Sequence, residues 1–406
     1  MSSHVTELLH LIARWVHLIA GIMWIGNSML FNWLDRNLVL PPNPKKGLIG
    51  EIWMVHSGGF YQVEKKHLAP GQMPETLHWF KWQNGITWMS GIALLVLVYY
   101  MGGAALMTDP SVSSLGPHAA VALGIGTIVG AWVIYDRIWR SPIGDYPTAG
   151  FFASLLTVLA MATVQFYYLS GRAAYMHVGV MLGTIMTGNV WFVIVPSQRE
   201  LVSATEEGRE QDPSIGYQAK QRSIHNNYIT FPLLFIMLSN HFPTTFGNKL
   251  NWLVLLVLAL GSALIRHLMN IRFTFREWLF PTTIVFFSTC VLTLVFFAHP
   301  EGIHPPVTPV DDETSANIGP VHWSDVAPII QQRCIQCHSQ HPTNATFTAP
   351  PNGVMFDSRD QVVRHTDRIR LRVVELRNMP LGNVTGITDA ERARIGAWIA
   401  QGTPTN

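Results

Sequence analysis

A short run near the end of the chain could hold a redox group. Its five residues are Cys334, Ile335, Gln336, Cys337 and His338. Two thiols at this spacing, followed directly by an imidazole, are typical of the attachment site of a c-type haem. The thiols bond to the macrocycle, and the imidazole ligates the iron from one side. The alternatives are a structural zinc half-site and a thioredoxin-like pair, but the chain has no second cysteine pair. The motif therefore predicts one covalent haem c and electron transfer.

A second iron ligand is expected downstream of this motif. Met379 stands before Pro380 in a predicted loop, and a Met sulfur opposite a His nitrogen is the high-potential arrangement of cytochromes c. Met355 is a competitor, but it lies close to the motif, and the shorter loop would wrap the haem poorly. The predicted haem-binding residues are Cys334, Cys337, His338 and Met379, with His338 and Met379 as the iron ligands.

Two helices are predicted on either side of these residues. An amphipathic helix over 323–330 leads into the cysteine motif. A capping box from Thr388 to Glu391 opens a second helix, which carries Trp398 and ends at Gly402. This order predicts a small class I cytochrome c domain over 318–406, joined by a flexible linker over 301–317.

The part of the chain before the linker is strongly apolar. The 406 residues are 49% hydrophobic and 13% charged, whereas soluble domains carry about 25% charged residues. A bilayer is crossed by about twenty apolar residues. Eight stretches are long enough: 8–34, 78–104, 117–139, 148–170, 173–196, 223–242, 250–269 and 277–299. The predicted fold class is all-α, an eight-helix transmembrane bundle over 1–300 followed by the cytochrome domain. A net charge of +2 gives no reason to expect a nucleic acid partner.

Basic residues are unevenly distributed between the loops. Loops after the first, third, fifth and seventh stretches hold fourteen Lys and Arg residues, whereas the alternate loops hold only Arg172 and Lys249. Loops rich in Lys and Arg remain in the cytoplasm. The N-terminus lacks a basic region and a cleavage pattern, so the first stretch is expected to be retained. Both termini are then predicted on the periplasmic side of the bacterial inner membrane, where c-type haem is attached.

Polar side chains inside the predicted spans are functional candidates, because burying them in a bilayer is costly. The candidate catalytic residues are Arg14, His17, His78, His177, His225, Asn226 and Asn227. Arg14 and His17 share a helix face, and Gly21 leaves space against His17.

The histidines could also hold a second cofactor. By depth, His17 pairs with His177 near the outer face, and His78 pairs with His225 near the inner face. Each pair could bind a b-type haem, because neutral imidazole is the usual axial ligand. The alternative also stays open: these histidines are interfacial residues or satisfy buried backbone groups.

The loop between the first two spans is long and carries a strand-like pattern. Residues 51–56 and 60–63 flank the turn residues Ser57, Gly58 and Gly59. This pattern predicts a short β-hairpin, and ordered long loops are often functional. The alternative is a cytoplasmic cap whose lysines only enforce the topology.

Several motifs in this order resemble one family, the membrane-bound bacterial urate hydroxylases (urate oxidases) with a fused C-terminal cytochrome c. The motifs are Arg14-Trp15-Val16-His17 with Trp24-Ile25-Gly26, His56-Ser57-Gly58-Gly59-Phe60, His78-Trp79-Phe80-Lys81-Trp82, and His225-Asn226-Asn227-Tyr228 with Pro232. The resemblance covers roughly 1–300 and 318–406.

The resemblance implies an oxidoreductase that converts urate to 5-hydroxyisourate by hydroxylation with water. Electrons would pass through haem c to an external soluble or membrane cytochrome c, or to a terminal oxidase. Roles in the membrane domain rest on chemistry. Urate is a planar anion, so Arg14 would bind its charge, Asn226 and Asn227 would read its edges, and a histidine would serve as general base.

Two other functions fit the same residues. The chain could be a haem-bearing electron-transfer subunit for a separate dehydrogenase, with no organic substrate of its own. It could also oxidise quinol through membrane haems. Activity of the purified single chain on urate separates the first from a urate enzyme, and a quinone requirement reveals the second.

Overall fold

The chain is predominantly helical in a computed structural model, which describes residues 3–101, 104, 106–109, 112–298, 318–344, 350–351, 354–375, 377 and 379–405. The predicted linker over 301–317 lies outside the described residues. The helices are α1 (Ser3–Asn37), α2 (Trp82–Leu95), α3 (Pro117–Arg140), α4 (Pro147–Tyr168), α5 (Gly171–Asn189), α6 (Val195–Glu207), α7 (Pro213–Ser239), α8 (Pro243–Phe246), α9 (Asn251–Ile271), α10 (Leu279–Ala298), α11 (Trp323–Arg333), α12 (Arg359–Val363), α13 (Thr366–Ile369) and α14 (Asp389–Ala400). The strands are β1 (Leu48–His56) and β2 (Gly59–Lys66). π-helical turns occupy Val96–Tyr100, Val190–Ile194 and Arg370–Glu375, and 3₁₀ turns occupy Pro142–Asp145 and Leu381–Asn383.

Several helices of the described chain are long and apolar enough to cross a membrane, as predicted. Six meet this description by length and composition: Leu8–Asn37, Pro117–Arg140, Pro147–Tyr168, Gly171–Glu207, Asn251–Ile271 and Leu279–Ala298. The predicted second and sixth spans correspond to α2 and α7, which are not among the six. α2 is only 14 residues long before its π turn, and α7 carries a polar run that includes Asn226 and Asn227.

The central helix of the membrane part is α5. It packs against α2, α3, α4 and α7, and most of its residues are buried. Its start is fixed by Ser170, whose Oγ accepts a hydrogen bond from the backbone N–H of Ala173 at 3.2 Å. By contrast, α1 packs chiefly on α2 and leaves large apolar side chains such as Leu11 and Trp15 exposed. Such a surface suits contact with lipid.

The predicted hairpin is present between α1 and α2. Strands β1 and β2 pair antiparallel, with His56 opposite Gly59. The turn residues Ser57 and Gly58 both have positive φ, at 50° and 78°. Tight two-residue hairpins need this conformation at both central positions, and glycine adopts it without strain. The residues of the hairpin are exposed or partly exposed, apart from the buried Gly50.

The C-terminal helices form where they were predicted. α11 packs against α14, and the ring of Trp323 lies 5.4 Å from that of the fully buried Trp398. The capping box is confirmed: Thr388 Oγ1 accepts from the N–H of Glu391 at 3.2 Å, and Glu391 Oε2 accepts from the N–H of Thr388 at 2.7 Å. Gly402 follows the helix with φ +82°, which suits a helix end.

Candidate functional site

The cysteine motif forms a compact turn directly after α11. The N–H of His338 donates to the carbonyl of Cys334 at 3.0 Å. Cys334 is buried, Cys337 is half-buried, and both are free thiols. Nδ1 of His338 lies 3.1 Å from the carbonyl oxygen of Val354. A carbonyl only accepts, so Nδ1 carries the proton and Nε2 keeps its lone pair, the usual state of a metal-bound histidine.

The environment of the two thiols bears on the alternative readings of the motif. Burial raises the pKa of Cys334 to about 12, and burial also raises the pKa of Cys337. A thioredoxin-like pair needs a thiol with a lowered pKa, because the thiolate is the reactive form. A structural zinc site needs four ligands. Among the described residues, no group of three or more His, Cys, Asp or Glu side chains is placed to bind a metal ion.

Met379 is held by a buried arginine. Nη1 of Arg392 donates to the carbonyl oxygens of Met379 and Val373, at 2.7 and 2.5 Å. Arg392 is only 5% exposed. The Met379 side chain packs against the same apolar core as Cys334. These contacts fix the backbone of the predicted ligand loop and bring it to the core that surrounds the cysteine motif.

In the membrane domain, a largely buried polar network joins α3, α5 and α7. We call it the α3–α5–α7 cluster, and its members are Tyr135, Asp136, Asn189, Arg222, His225 and Asn226. Arg222 donates to Asp136 Oδ1 at 3.1 Å and lies over the Tyr135 ring. Asn189 Nδ2 donates to Tyr135 Oη at 3.1 Å and to Asn226 Oδ1 at 2.9 Å.

The position of one proton in this cluster follows from these contacts. The Tyr135 hydroxyl lies 2.7 Å from Nδ1 of His225. Its oxygen already accepts from Asn189, so we assign its proton to the contact with His225. Neutral His225 then carries its own proton on Nε2, where it is a donor and not a metal ligand.

A second polar group lies between α7 and α9. We call it the α7–α9 cluster, and its members are Asn227, Arg266 and Asn270. Arg266 Nε donates to Asn227 Oδ1 at 3.0 Å, and Asn270 Nδ2 donates to the same oxygen at 2.6 Å. All three side chains are buried. Tyr228 and His267, the next residues along the two helices, are also in contact, with the hydroxyl 2.7 Å from Nδ1. Asn226 and Asn227 therefore belong to different clusters, although they are adjacent in the sequence.

The two predicted residues on α1 have unequal surroundings. Nδ1 of His17 donates to the carbonyl of Thr87 at 2.9 Å, which leaves Nε2 with a free lone pair. The glycine that gives His17 room is Gly91 on α2, where a Cβ would lie 3.0 Å from the ring. The expectation that Gly21 leaves this space is wrong, because Gly21 faces Thr87. Arg14 is exposed and not buried, because its helix packs chiefly on α2.

His177 is enclosed completely. Nδ1 donates to the carbonyl of Ala173 at 2.8 Å, and Nε2 accepts from the Tyr100 hydroxyl at 3.1 Å. A Cβ on Gly124 would come within 2.7 Å of the ring. The π turn of Val96–Tyr100 brings the rings of Tyr99 and Tyr100 to this histidine, and π turns are frequent at functional sites.

His78 does not open a helix. The second span was predicted from residue 78, but α2 begins at Trp82, so His78 lies in the preceding loop, where it is exposed. Among the four histidines of the two predicted pairs, only His17 lies in a helix and keeps a ring nitrogen, Nε2, with a free lone pair. The surroundings of His78, His177 and His225 do not suit a haem between the predicted pairs, and the b-type haem stays a prediction.

Five residues in these clusters were missed as site candidates: Tyr135, Asp136, Asn189, Arg222 and Asn270. Arg266 was missed as well, and both Arg222 and Arg266 were counted only as basic loop residues. One signal was available, because Arg222 precedes Asn226 by four residues, and Arg266 precedes Asn270 by four. That spacing places both side chains on one helix face. An arginine paired with an amide on one face of an apolar helix indicates a polar contact between helices.

Comparison with known proteins gives one result for the membrane domain. The sequence model of the family described as urate oxidase N-terminal matches residues 3–298, which is more than half of the chain. Searches of curated proteins and of solved structures found no match. The matched range contains both polar clusters and ends at the end of α10, before the C-terminal domain. This chain belongs to the urate oxidase N-terminal family.

Proposed function

We propose that the chain is a membrane-bound enzyme that oxidises urate to 5-hydroxyisourate and passes the electrons to a haem c in its C-terminal domain. The observation that carries this proposal is the family match over residues 3–298 followed in the same chain by the turn of Cys334 to His338. The family supports an oxidoreductase acting on urate. The turn supports an electron acceptor built into the chain.

The residues of the C-terminal domain fit a covalent haem c. Cys334 and Cys337 would hold it, and both are free thiols. His338 would ligate the iron through Nε2, because Nδ1 is engaged by Val354. Met379 would supply the second ligand from a loop that Arg392 fixes. When bound, the haem accepts electrons one at a time.

The reaction balances without oxygen. Urate and one water give 5-hydroxyisourate, two protons and two electrons, which leave in two successive one-electron steps. The oxygen of water forms a new bond to a ring carbon and keeps one proton as the hydroxyl of the product. The other proton of that water must reach a base, and the second released proton leaves a ring nitrogen of urate. His267, exposed and in contact with Tyr228, is the histidine that we assign to this role. An external cytochrome c or a terminal oxidase would accept the electrons from the haem.

The membrane arrangement follows from charge. We propose eight spans, with α2 and α7 added to the six apolar helices. The loops after odd-numbered spans, which hold most of the basic residues, then lie on the cytoplasmic side, and both termini face the periplasm.

A direct test uses the purified full chain in detergent under anaerobic conditions. Urate should reduce the haem c, seen by its absorbance, and 5-hydroxyisourate should form with two electrons removed per urate. Dithionite reduction gives the full amplitude as a control. A chain whose haem is reduced by dithionite but not by urate is an electron-transfer subunit. A chain that is reduced only by added quinol is a quinol oxidoreductase.

A further inference from the structure

Arg266 is a buried cation between α7 and α9. It is 5% exposed and follows a long, mostly apolar stretch of its helix. Its Nε is used by Asn227 Oδ1, while its Nη atoms have no acceptor among the described residues. The guanidinium lies 5.2 Å from the centre of the Phe231 ring. The fork of the side chain is thus free and lies against a flat aromatic surface.

The charge of Arg266 is not balanced by the protein. No carboxylate pairs with it in the part of the chain that the structure describes, whereas the equally buried Arg222 is paired with Asp136 at 3.1 Å. The titratable groups that act on Arg266 are Arg272, Arg36 and Tyr228, and none of them is a carboxylate. A buried charge without a partner carries a free-energy cost. An anion that enters this place would remove that cost.

The amides beside Arg266 indicate the shape of the anion. Oδ1 of Asn227 accepts hydrogen bonds from Arg266 Nε and Asn270 Nδ2. These bonds use the oxygen of Asn227 and the nitrogen of Asn270, so the opposite atom of each side-chain amide remains free. Nδ2 of Asn227 is a donor, and Oδ1 of Asn270 is an acceptor, and neither has a partner within the described residues. A ligand that satisfies the cluster therefore accepts at one edge, donates at another and carries delocalised negative charge. The phosphodiester of a lipid offers acceptors only, so the Asn270 oxygen would oppose it.

We propose that Arg266, Asn227 and Asn270 form the binding site of a planar, anionic, purine-like substrate, which is urate if the proposed function holds. The guanidinium binds the anionic edge through its fork. Asn227 Nδ2 and Asn270 Oδ1 contact neighbouring ring edges, as amides do with purines. Phe231 borders the site with its ring. This assignment replaces the exposed Arg14 with Arg266 and separates Asn227 from Asn226, which serves the α3–α5–α7 cluster.

The test substitutes Asn227→Asp. The new carboxylate has the same shape and pairs with Arg266, so the contact between α7 and α9 is kept or strengthened. The same carboxylate neutralises the cation and repels an anion. We expect urate binding to the purified full chain, measured by calorimetry in neutral detergent, to weaken roughly 10- to 100-fold. Arg266→Lys, which keeps the charge and loses the fork, should weaken binding as well and provides a second test if the first variant does not fold.

The matched control is Arg137→Gln. It removes one positive charge from the same end of the bundle at an exposed residue, and its urate affinity should stay within twofold of the wild type. If both site variants bind urate like the wild type, the site lies elsewhere and the inference is overturned. If the wild type neither binds nor oxidises urate, the proposed function falls together with this site.

Anionic lipid is the competing occupant, and the same proteins distinguish it. Binding is repeated with phosphatidylglycerol added to the micelles. We expect the lipid to leave the urate affinity of the wild type unchanged. The inference is overturned if the site variants lose phosphatidylglycerol binding and keep urate binding, because the cluster would then hold a lipid headgroup.

Discussion

The hydroxyl of Tyr135 lies 2.7 Å from Nδ1 of His225, and this contact joins α3 to α7 inside the bundle. Tyr135 is 4% exposed. Its oxygen also accepts from Asn189 on α5, so one hydroxyl connects three helices. Trp139 also lies against the His225 ring, with ring centres 4.4 Å apart. The position of His225 is therefore set by packing and hydrogen bonds within the protein.

Removing this hydroxyl should destabilise the bundle. Tyr135→Phe leaves Nδ1 of His225 without a donor and Nδ2 of Asn189 with one acceptor fewer. An unsatisfied buried polar group costs about 1–3 kcal/mol, so the thermal unfolding temperature of the purified protein should fall. Tyr228→Phe removes a hydroxyl from the exposed contact with His267 and should lower the unfolding temperature less. Equal losses in the two variants would contradict the assigned role of Tyr135.

Met379→Ala should change the haem spectrum and lower the reduction potential. The substitution removes the sulfur that we expect on the iron, while Arg392 still binds the backbone carbonyl of residue 379. The weak sulfur-to-iron band near the red end of the ferric spectrum should disappear, and a potentiometric titration should give a lower midpoint. Met355→Ala is the matched control and should leave both unchanged. If Met355→Ala instead abolishes the band, Met355 is the ligand.

Some elements followed from sequence and others did not, for identifiable physical reasons. The capping box at Thr388 and the turn at Ser57 and Gly58 depend on neighbouring residues, so local patterns predicted them. The partner of His17 depends on how α1 meets α2, and the sequence does not encode which glycine lies opposite. Gly21 was expected to leave space beside His17 because it lies one turn away on the same helix. That space is instead beside Gly91, on α2.

The polar clusters show the same limit on a larger scale. The sequence marked Asn226 and Asn227 as candidates because amides are rare inside apolar stretches. It did not show that they point to different helices, since adjacent residues on a helix are about 100° apart. The burial of Arg266 was hidden by its place near the end of a span, where most arginines contact headgroups.

The topology can be tested with reporter fusions. A periplasmic phosphatase joined after Asn406 should be active, because eight spans place both termini outside. The same reporter inserted near Asp212, which caps α7 in a basic loop, should be silent. A cytoplasmic reporter at the two positions should give the opposite pattern. Activity of the phosphatase at Asp212 together with silence at Asn406 would contradict the proposed orientation.

His17→Ala should slow urate-driven reduction of haem c if a second redox group is held near the outer face. His17 has its Nδ1 fixed by Thr87 and its Nε2 free, which suits a ligand, whereas both nitrogens of His177 are already engaged. Dithionite should still reduce the haem c of the variant fully. Haem extraction from the wild type gives the count: one haem per chain and no other metal would contradict this prediction. Equal rates in His17→Ala and the wild type would also contradict it.

The stability of the C-terminal domain should fall in acid through Glu391. Partial burial raises the pKa of Glu391, but the backbone N–H of Thr388 and the Arg333 guanidinium outweigh this and hold it below the ordinary 4.5. A carboxyl whose pKa is lower in the folded state than in the unfolded state stabilises the fold fully at a pH above its unfolded pKa. This stabilisation is lost as the pH falls below about 4.5 and through the folded pKa.

Two substitutions separate the charge from the cap. Glu391→Gln keeps the capping box and loses the partly exposed ion pair with Arg333, so it should cost less than about 1 kcal/mol at neutral pH. The acid dependence should become shallower in this variant. Glu391→Ala loses the box as well and should cost about 1 kcal/mol more. Urea unfolding of the full chain in detergent, followed by the haem c absorbance at pH 7 and pH 4, measures both effects. An unchanged acid dependence in Glu391→Gln would show that another carboxyl is responsible.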